Sequence, residues 1–362
     1  MEIKEPMKQK IITLSLILLT FLSCQKKQAF YSIKTTTIEV PEIEKWIWLH
    51  GTSDTNTAAL KTQFKTLANN GITGVLIGGD NESMFRAAKA EGLQAHIWLW
   101  TLNRGDEYIM KNHSDWYSIN RNGESCFDNP PYVSYYRWLC PTNKEVRSFL
   151  KDEIRRLSQK DYIDGIHLDY VRYCDVILPI ALWEKYNLVQ NRELPEFDYC
   201  YCKTCRSTFQ KVSSNDPLTL AEPAADSNWI NFRYHQVTSL VNDLAAIAHQ
   251  NQKPISAAVF PTPTIAKKLV RQDWVNWNLD RIFPMVYHAF YEEEITWVKN
   301  ATSEGVSKLK SRIPVITGIY MPDIENETVL KQAIDGALNG GANGISLFGK
   351  LTSKQWKVVK GK

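Results

Sequence analysis

Short apolar runs alternate with amphipathic segments along most of this chain of 362 residues. Eight runs of four to eight residues are apolar at nearly every position, which is typical of parallel strands covered by helices. Between the runs, apolar residues recur at helical spacing, as in Val146, Leu150, Ile154 and Leu157. The predicted strands are Lys45–Gly51, Gly74–Gly79, Leu93–Trp100, Gly165–Val171, Pro254–Pro261, Arg281–Tyr287, Pro314–Tyr320 and Gly344–Gly349.

Eight strands with intervening helices predict an α/β fold, a single (β/α)8 TIM barrel. A doubly wound open sheet is the alternative, but it would usually contain fewer strands and a glycine-rich phosphate-binding turn. The chain contains no G-x-G-x-x-G motif and no P-loop, so we expect no organic cofactor. Two connections exceed the usual loop length: residues 101–140 after the third strand and about 173–227 after the fourth. Both would lie on the active-site face of a barrel.

The N-terminal segment has the pattern of a secretory signal peptide. Three lysines precede the apolar run Ile11–Leu22, which is too short to span a membrane and ends before Ser23-Cys24. We therefore predict a signal peptide at 1–23, a tether at 24–44 and the barrel at 45–362.

Cys24 follows Phe21-Leu22-Ser23 and resembles the lipobox cysteine of bacterial lipoproteins. The resemblance implies a lipidated N-terminus at Cys24, a membrane partner through that lipid, and a location in the bacterial cell envelope. Ordinary cleavage, leaving a free Cys24 on a secreted protein, is the alternative.

The net charge argues against nucleic acid as a partner. The chain has 43 basic and 39 acidic residues, and residues 1–23 contain three lysines and two glutamates. The remaining balance, 40 − 37 = +3, is close to neutral for this length.

The stretch Asp164–Arg172 places a carboxylate inside a buried strand. Such a group is costly unless it is paired or used, and the C-terminal ends of barrel strands point to the active site. Asp169 is therefore the predicted catalytic nucleophile or base, with Arg172 keeping it ionised; a purely structural ion pair with Arg172 or with another charge of the barrel is the alternative. Strand alternation places Ile166, Leu168 and Tyr170 on one face and His167, Asp169 and Val171 on the other.

Aromatic and polar residues collect at the other predicted strand ends. Aromatic faces stack on sugar rings while charged and amide groups bond to hydroxyls, so this rim predicts a carbohydrate substrate. From the alternation of strand residues we expect that Trp48, Trp98 and Trp100 do not all face the pocket. The predicted substrate-binding residues are Trp48, His50, Asp80, Trp100, Arg172, Tyr287, His288 and Tyr320.

Glycoside hydrolysis usually needs a second carboxyl group, ~5–5.5 Å from the first for retention or ~6.5–9.5 Å for inversion. We favour Asp323, which follows the seventh strand after Met321-Pro322, as the catalytic acid. The same Pro-Asp pair is also typical of a turn and helix cap. The alternatives are Glu325, Glu292, Asp80 and Asp106.

Asp164-Gly-Ile-His-Leu-Asp169-Tyr-Val-Arg172-Tyr173, together with Pro284-Met-Val-Tyr287, resembles the bacterial glycosyl-hydrolase-like family 10 lipoproteins. The resemblance covers most of residues 45–350 and implies a (β/α)8 barrel with a carbohydrate-active role and Asp169 in its site. The stretch is also similar to the D-G-x-D-x-D-x-E motif of family 18 chitinases. Here, however, Val171 replaces the catalytic Glu, which argues against a chitinase mechanism.

Cys200, Cys202 and Cys205 provide three thiols within six residues, a spacing that lets them converge on one metal, zinc being the obvious one. Disulfides are the alternative in an exported protein, since six cysteines follow Cys24. The segment resembles the C-x-C-x-x-C zinc site of family 42 β-galactosidases. That resemblance implies Cys140 as the fourth ligand, with Cys174 or Cys126 as alternatives, in a structural rather than a catalytic site.

These features together predict a lipid-anchored glycoside hydrolase acting on a polysaccharide or its oligosaccharides. The rival is a non-catalytic glycan-binding lipoprotein on the same barrel, favoured by the missing Glu at Val171.

Overall fold

The computed structural model describes residues 43–53 and 56–362. The predicted signal peptide, Cys24 and the tether as far as residue 42 lie outside the described residues. Within the described residues, no helix is both long enough and apolar enough to cross a bilayer.

Eight parallel strands form a barrel. Hydrogen-bonded neighbours follow the order β6-β5-β4-β3-β2-β1-β8-β7, and parallel bridges from Ile282 to Val315 and from Met285 to Gly318 join β6 to β7. The sheet thus returns on itself, which confirms the predicted (β/α)8 barrel over an open sheet. The strands are β1 (Glu44–Leu49), β2 (Gly74–Gly78), β3 (Gln94–Trp100), β4 (Gly165–Asp169), β5 (Ile255–Val259), β6 (Arg281–Pro284), β7 (Ile316–Tyr320) and β8 (Gly344–Phe348).

The helices cover the outer face of the barrel with amphipathic stripes. In α4 the residues Val146, Leu150, Ile154 and Leu157 are buried as their spacing predicts, and the Asn143 side chain caps its first turn. Over the described residues the α-helices are α1 (Thr57–Asn69), α2 (Glu82–Ala90), α3 (Glu107–Asn112), α4 (Lys144–Ser158), α5 (Lys203–Ser213), α6 (Ser227–Gln250), α7 (Pro263–Val270), α8 (Trp297–Leu309), α9 (Glu327–Asn339) and α10 (Ser353–Lys360).

Large rings fill the lower interior of the barrel. Trp46 meets His96 edge to face at 4.8 Å between ring centroids and Phe283 at 5.5 Å. Gly165 makes room for this layer, because a Cβ there would lie 2.5 Å from the His96 ring. Both ring nitrogens of His96 are buried without a partner among the described residues, and burial lowers its pKa to about 3. The lower barrel is therefore a packed core, with open space above it.

Candidate active site

Asp169 ends β4 at the mouth of the barrel. Its Oδ2 accepts a hydrogen bond from Trp98 Nε1 at 2.9 Å, and its Oδ1 accepts one from the Tyr170 backbone N–H at 2.7 Å. Burial raises the pKa of Asp169, although these two donors and the charge of Arg172 act in the opposite direction. A raised carboxyl pKa in a cleft is a feature of functional sites.

Asp169 opens onto a cavity of about 290 Å³, here called the first cavity. Its size is at the lower end of the range for small-molecule sites, ~300–1,000 Å³. Its wall is mostly aromatic, which suits stacking on sugar rings. The lining residues are Trp48, His50, Trp98, Trp100, Tyr136, Asp169, Tyr170, Arg172, Asp175, Leu178, Pro179, Leu182, Ala258, Phe260, Met285, Tyr287, Phe290, Tyr291, Tyr320 and Phe348.

Seven of the predicted site residues meet in this cavity: Trp48, His50, Trp100, Asp169, Arg172, Tyr287 and Tyr320. The expectation that Trp48, Trp98 and Trp100 do not all face the pocket is wrong, since all three line it. Trp98 and Trp100 are two residues apart on β3, so alternation places them on the same face of the strand.

Tyr170 departs from the predicted alternation. The strand ends at Asp169, and Tyr170 adopts a positive φ of 50°, a region that bulky residues rarely occupy. The turn brings the Tyr170 ring to 4.7 Å from that of Trp100, between centroids, on the same side as Asp169. Backbone strain of this kind recurs at functional sites.

Arg172 forms its ion pair with Asp175 rather than with Asp169. The distance from Arg172 Nη1 to Asp175 Oδ2 is 2.8 Å, and both side chains are buried. The guanidinium also lies over the rings of Trp138, Tyr170 and Phe260. Arg172 therefore packs within the cavity wall, and it affects the pKa of Asp169 only through its charge. Asp175 was not predicted from the sequence; its short separation from Arg172 was the available signal.

Three predicted site residues do not line the first cavity: Asp80, His288 and Asp323. Asp80 accepts hydrogen bonds from Lys160 and from Tyr162 Oη, the latter at 2.8 Å. Asp323 ends the short turn Met321–Asp323 just beyond β7. Its Oδ2 is buried without a partner among the described residues, and burial raises its pKa while the charge of nearby His288 opposes that rise.

A second depression of about 500 Å³ adjoins the first cavity and shares His50, Trp98 and Trp100 with it. We call it the β2–β3 cleft, since it follows the ends of these strands toward α4. Asp80 lies here. The complete lining is His50, Gly78, Gly79, Asp80, Ile97, Trp98, Leu99, Trp100, Asn103, Arg104, Gly105, Asp106, Glu153, Arg156 and Leu157.

The predicted cysteine set forms one cluster. The Sγ atoms of Cys140, Cys200, Cys202 and Cys205 all lie within 4.8 Å of one another. Cys140 Sγ is 3.6 Å from Cys202 Sγ and 3.4 Å from Cys205 Sγ, close to the ~3.8 Å edge of a tetrahedron with Zn–S bonds of ~2.3 Å. All six described cysteines are free, so the disulfide alternative does not describe this structure. The cluster joins the two long loops, with Cys140 on the first and the other three cysteines on the second.

No family model and no curated protein matches the chain. Solved structures with similar folds include several glycoside hydrolases. The PgaB (BpsB) glycoside hydrolase domain from Bordetella bronchiseptica has a TM-score of 0.62 at 11% identity, covering 87% of this chain and 95% of that one. The catalytic domain of a β-amylase from Paenibacillus polymyxa has a TM-score of 0.57 at 13% identity, and the match covers 84% of this chain and 92% of that one.

The GH42 β-galactosidase Gan42B from G. stearothermophilus, in the form of a catalytic mutant, has a TM-score of 0.59 at 11% identity. The match covers 88% of this chain and 53% of that one, so the chain spans about half the length of that enzyme. At these identities the similarity establishes the shared barrel fold.

Proposed function

We propose that this protein is a glycoside hydrolase that acts on a polysaccharide or its oligosaccharides. One observation carries the proposal: Asp169 projects from the C-terminal end of β4 into an aromatic cavity at the barrel mouth. The similarity of the barrel to glycoside hydrolase structures supports the reaction class, as does the resemblance of the β4 motif to the glycosyl-hydrolase-like family 10.

In the proposed mechanism Asp169 acts in its ionised form, as nucleophile on the anomeric carbon or as base on a water molecule. The N–H groups of Trp98 and Tyr170 hold the carboxylate in one orientation. The rings of Trp48, Trp100 and Tyr287 offer stacking surfaces for the sugar.

We assign the acid role to Asp323. Its raised pKa favours a carboxyl group that still carries a proton to give to the leaving oxygen. Asp323 follows shortly after Tyr320, the last residue of β7, which lines the cavity, so the proposed acid belongs to the C-terminal rim of the same barrel.

A non-catalytic glycan-binding role is the second candidate. The lining of the first cavity favours this role, because Asp169 and Asp175 are the only carboxylates among the lining residues. Asp175 is tied to Arg172, so it is poorly placed to give up or take a proton. A binding protein needs the aromatic wall and no second free carboxyl group.

A screen of the purified protein against a panel of polysaccharides separates the two roles. The panel contains α-glucans, β-galactans, β-glucans, xylans and chitosan. Release of reducing ends by the wild type and not by Asp169→Asn supports the hydrolase. Binding without release, equal in both proteins, supports the binding role.

We further propose that the four-cysteine cluster holds a structural zinc ion. Four thiolates whose Sγ atoms all lie within 4.8 Å of one another suit zinc, and a four-cysteine site leaves no open position for a substrate. When bound, the ion would supply a cross-link between the two long loops. Cys202 also caps the start of α5, so the same residue would tie that helix to the site.

We also propose that the protein is a lipoprotein of the bacterial cell envelope, anchored at Cys24. The basic residues, the apolar run and the lipobox-like Phe21-Leu22-Ser23-Cys24 support this proposal. The lipid would hold the catalytic domain near extracellular polysaccharides.

A further inference from the structure

The β2–β3 cleft continues directly from the first cavity. Trp98 and Trp100 separate the two depressions and line both. The side chain of Trp100 is 40% exposed, which is unusual for so large an apolar ring. The ring of Tyr135, which is 52% exposed, lies 6.2 Å from it between centroids. A ligand longer than the first cavity would therefore pass over an exposed aromatic surface into the cleft.

The charges of the cleft are balanced within the protein. Its lining holds three carboxylates and two guanidiniums, and Lys160, which bonds to Asp80, brings the balance to zero. Arg104 donates to Asp106 and to Glu153, with Nη1 2.8 Å from Glu153 Oε2. Because these charges already have partners, the cleft suits a neutral polyhydroxylated ligand better than a phosphate or another strong anion.

Asn103 supplies an unused donor in the cleft. Its side chain is 1% exposed, and its Oδ1 accepts a hydrogen bond from the Arg137 N–H at 2.9 Å. That bond orients the amide, while Nδ2 is buried with no partner among the described residues. A buried N–H without a partner is costly, so a hydroxyl oxygen of a ligand would remove that penalty.

We propose that the β2–β3 cleft is a second sugar-binding subsite, in which Asn103 Nδ2 donates to a hydroxyl group and Trp100 stacks against the ring. The inference rests on the proposed function and extends it: the substrate is an uncharged oligosaccharide or polysaccharide that occupies both depressions at once. The affinity for an oligosaccharide then depends on the number of its sugar units, and not on its terminal sugar alone.

The test measures how affinity depends on chain length. Oligosaccharides of each class in the polysaccharide panel, from disaccharide to hexasaccharide, are titrated calorimetrically into the full chain carrying Asp169→Asn, which prevents turnover. Gly105→Phe, added to this protein, blocks the cleft: Gly105 lines only the cleft, a Cβ placed on it would meet no atom within 4 Å, and it needs no positive φ. Asn103→Asp removes the donor and keeps the acceptor for Arg137. Lys111→Phe, on an exposed residue of α3 outside both depressions, is the control.

We expect affinity to rise with chain length and Gly105→Phe to reduce that rise by about tenfold or more, whereas Lys111→Phe retains it. Asn103→Asp should weaken the long oligosaccharides about three- to tenfold, the size of one net hydrogen bond. Binding that is independent of length, or a length dependence that survives both cleft variants, would overturn the subsite while leaving the proposed function intact. Failure of every oligosaccharide to bind would overturn both.

Discussion

At the scale of single residues, two opposing effects determine the protonation of Asp169. Burial in the cavity raises its pKa, and the hydrogen bonds from Trp98 and from the Tyr170 backbone lower it. A nucleophile or base must be ionised, so activity should fall at acid pH as Asp169 takes up a proton.

Replacing Trp98 with Phe removes the donor to Oδ2 and keeps an aromatic ring. Because this donor favours the ionised form, its loss should raise the pKa of Asp169 further. The acid limb of the pH profile of kcat/KM should therefore move to higher pH. Trp100→Phe is the matched control on the same strand, and there the limb should stay in place even if KM rises. An unchanged or lower midpoint in Trp98→Phe would contradict the assignment of Asp169.

The position of Asp169 was predictable because it depends on local periodicity. His167 and Asp169 are two residues apart on a strand, and alternation alone places both toward the barrel axis. The positions of Tyr170 and Asp175 were not predictable from this periodicity, since a positive φ at Tyr170 ends the alternation. The path of the loop beyond it depends on distant contacts, such as that of Tyr132 Oη with the Asp175 carbonyl at 2.8 Å.

At the scale of elements, β3 carries a buried histidine whose protonation is linked to folding. Burial lowers the pKa of His96 from 6.5 to about 3. Between these two values the unfolded chain binds a proton at His96 and the folded chain does not. The free energy of unfolding should therefore fall as pH decreases through this window. The slope from this residue corresponds to the uptake of up to about one proton on unfolding.

His96→Leu should make the stability less dependent on pH below about 6.5, as measured by urea unfolding at a series of pH values. The buried His167, whose pKa is also lowered by burial, retains its own contribution in this variant. His235→Gln, at an exposed position of α6, serves as the control and should keep the wild-type slope. A His96→Leu protein with an unaltered slope would show that His96 is not kept neutral by its surroundings.

The cysteine cluster links the two long loops that follow β3 and β4. Metal analysis of the wild type should give one zinc per chain, and Cys202→Ser should lose it and unfold at a lower temperature. Cys126→Ala is the control: Cys126 is buried against the Trp138 backbone, outside the four-cysteine cluster, and should keep the metal. Zinc retained in Cys202→Ser, or absent from the wild type, would contradict the proposal.

Elements were more predictable than the loops between them. All eight strands lie within the predicted runs or one residue beyond them. A short apolar run between two amphipathic helical segments is typical of a buried parallel strand, so few other structures fit it. Three of the cysteines stand close in sequence, so their spacing alone indicated a metal site. Cys140 comes from a separate loop, and only the resemblance to the family 42 zinc site pointed to it.

At the scale of the whole molecule, the proposed lipid at Cys24 determines where the barrel acts. Cys24→Ser should move the protein from the membrane fraction to the soluble fraction of a bacterial host and abolish labelling by palmitate. Cys126→Ala should leave both unchanged. Membrane association and labelling that persist in Cys24→Ser would refute the anchor without bearing on the activity of the barrel.

The barrel, its aromatic cavity and Asp169 support one central claim, that this protein hydrolyses a glycan. The most direct test is the rate at which wild type and Asp169→Asn release reducing ends from a polysaccharide that both bind. We expect Asp169→Asn to bind with similar affinity and to lose activity by about 10³-fold or more, as loss of a catalytic group does. Equal rates in the two proteins, or tight binding with no release by the wild type, would contradict the claim.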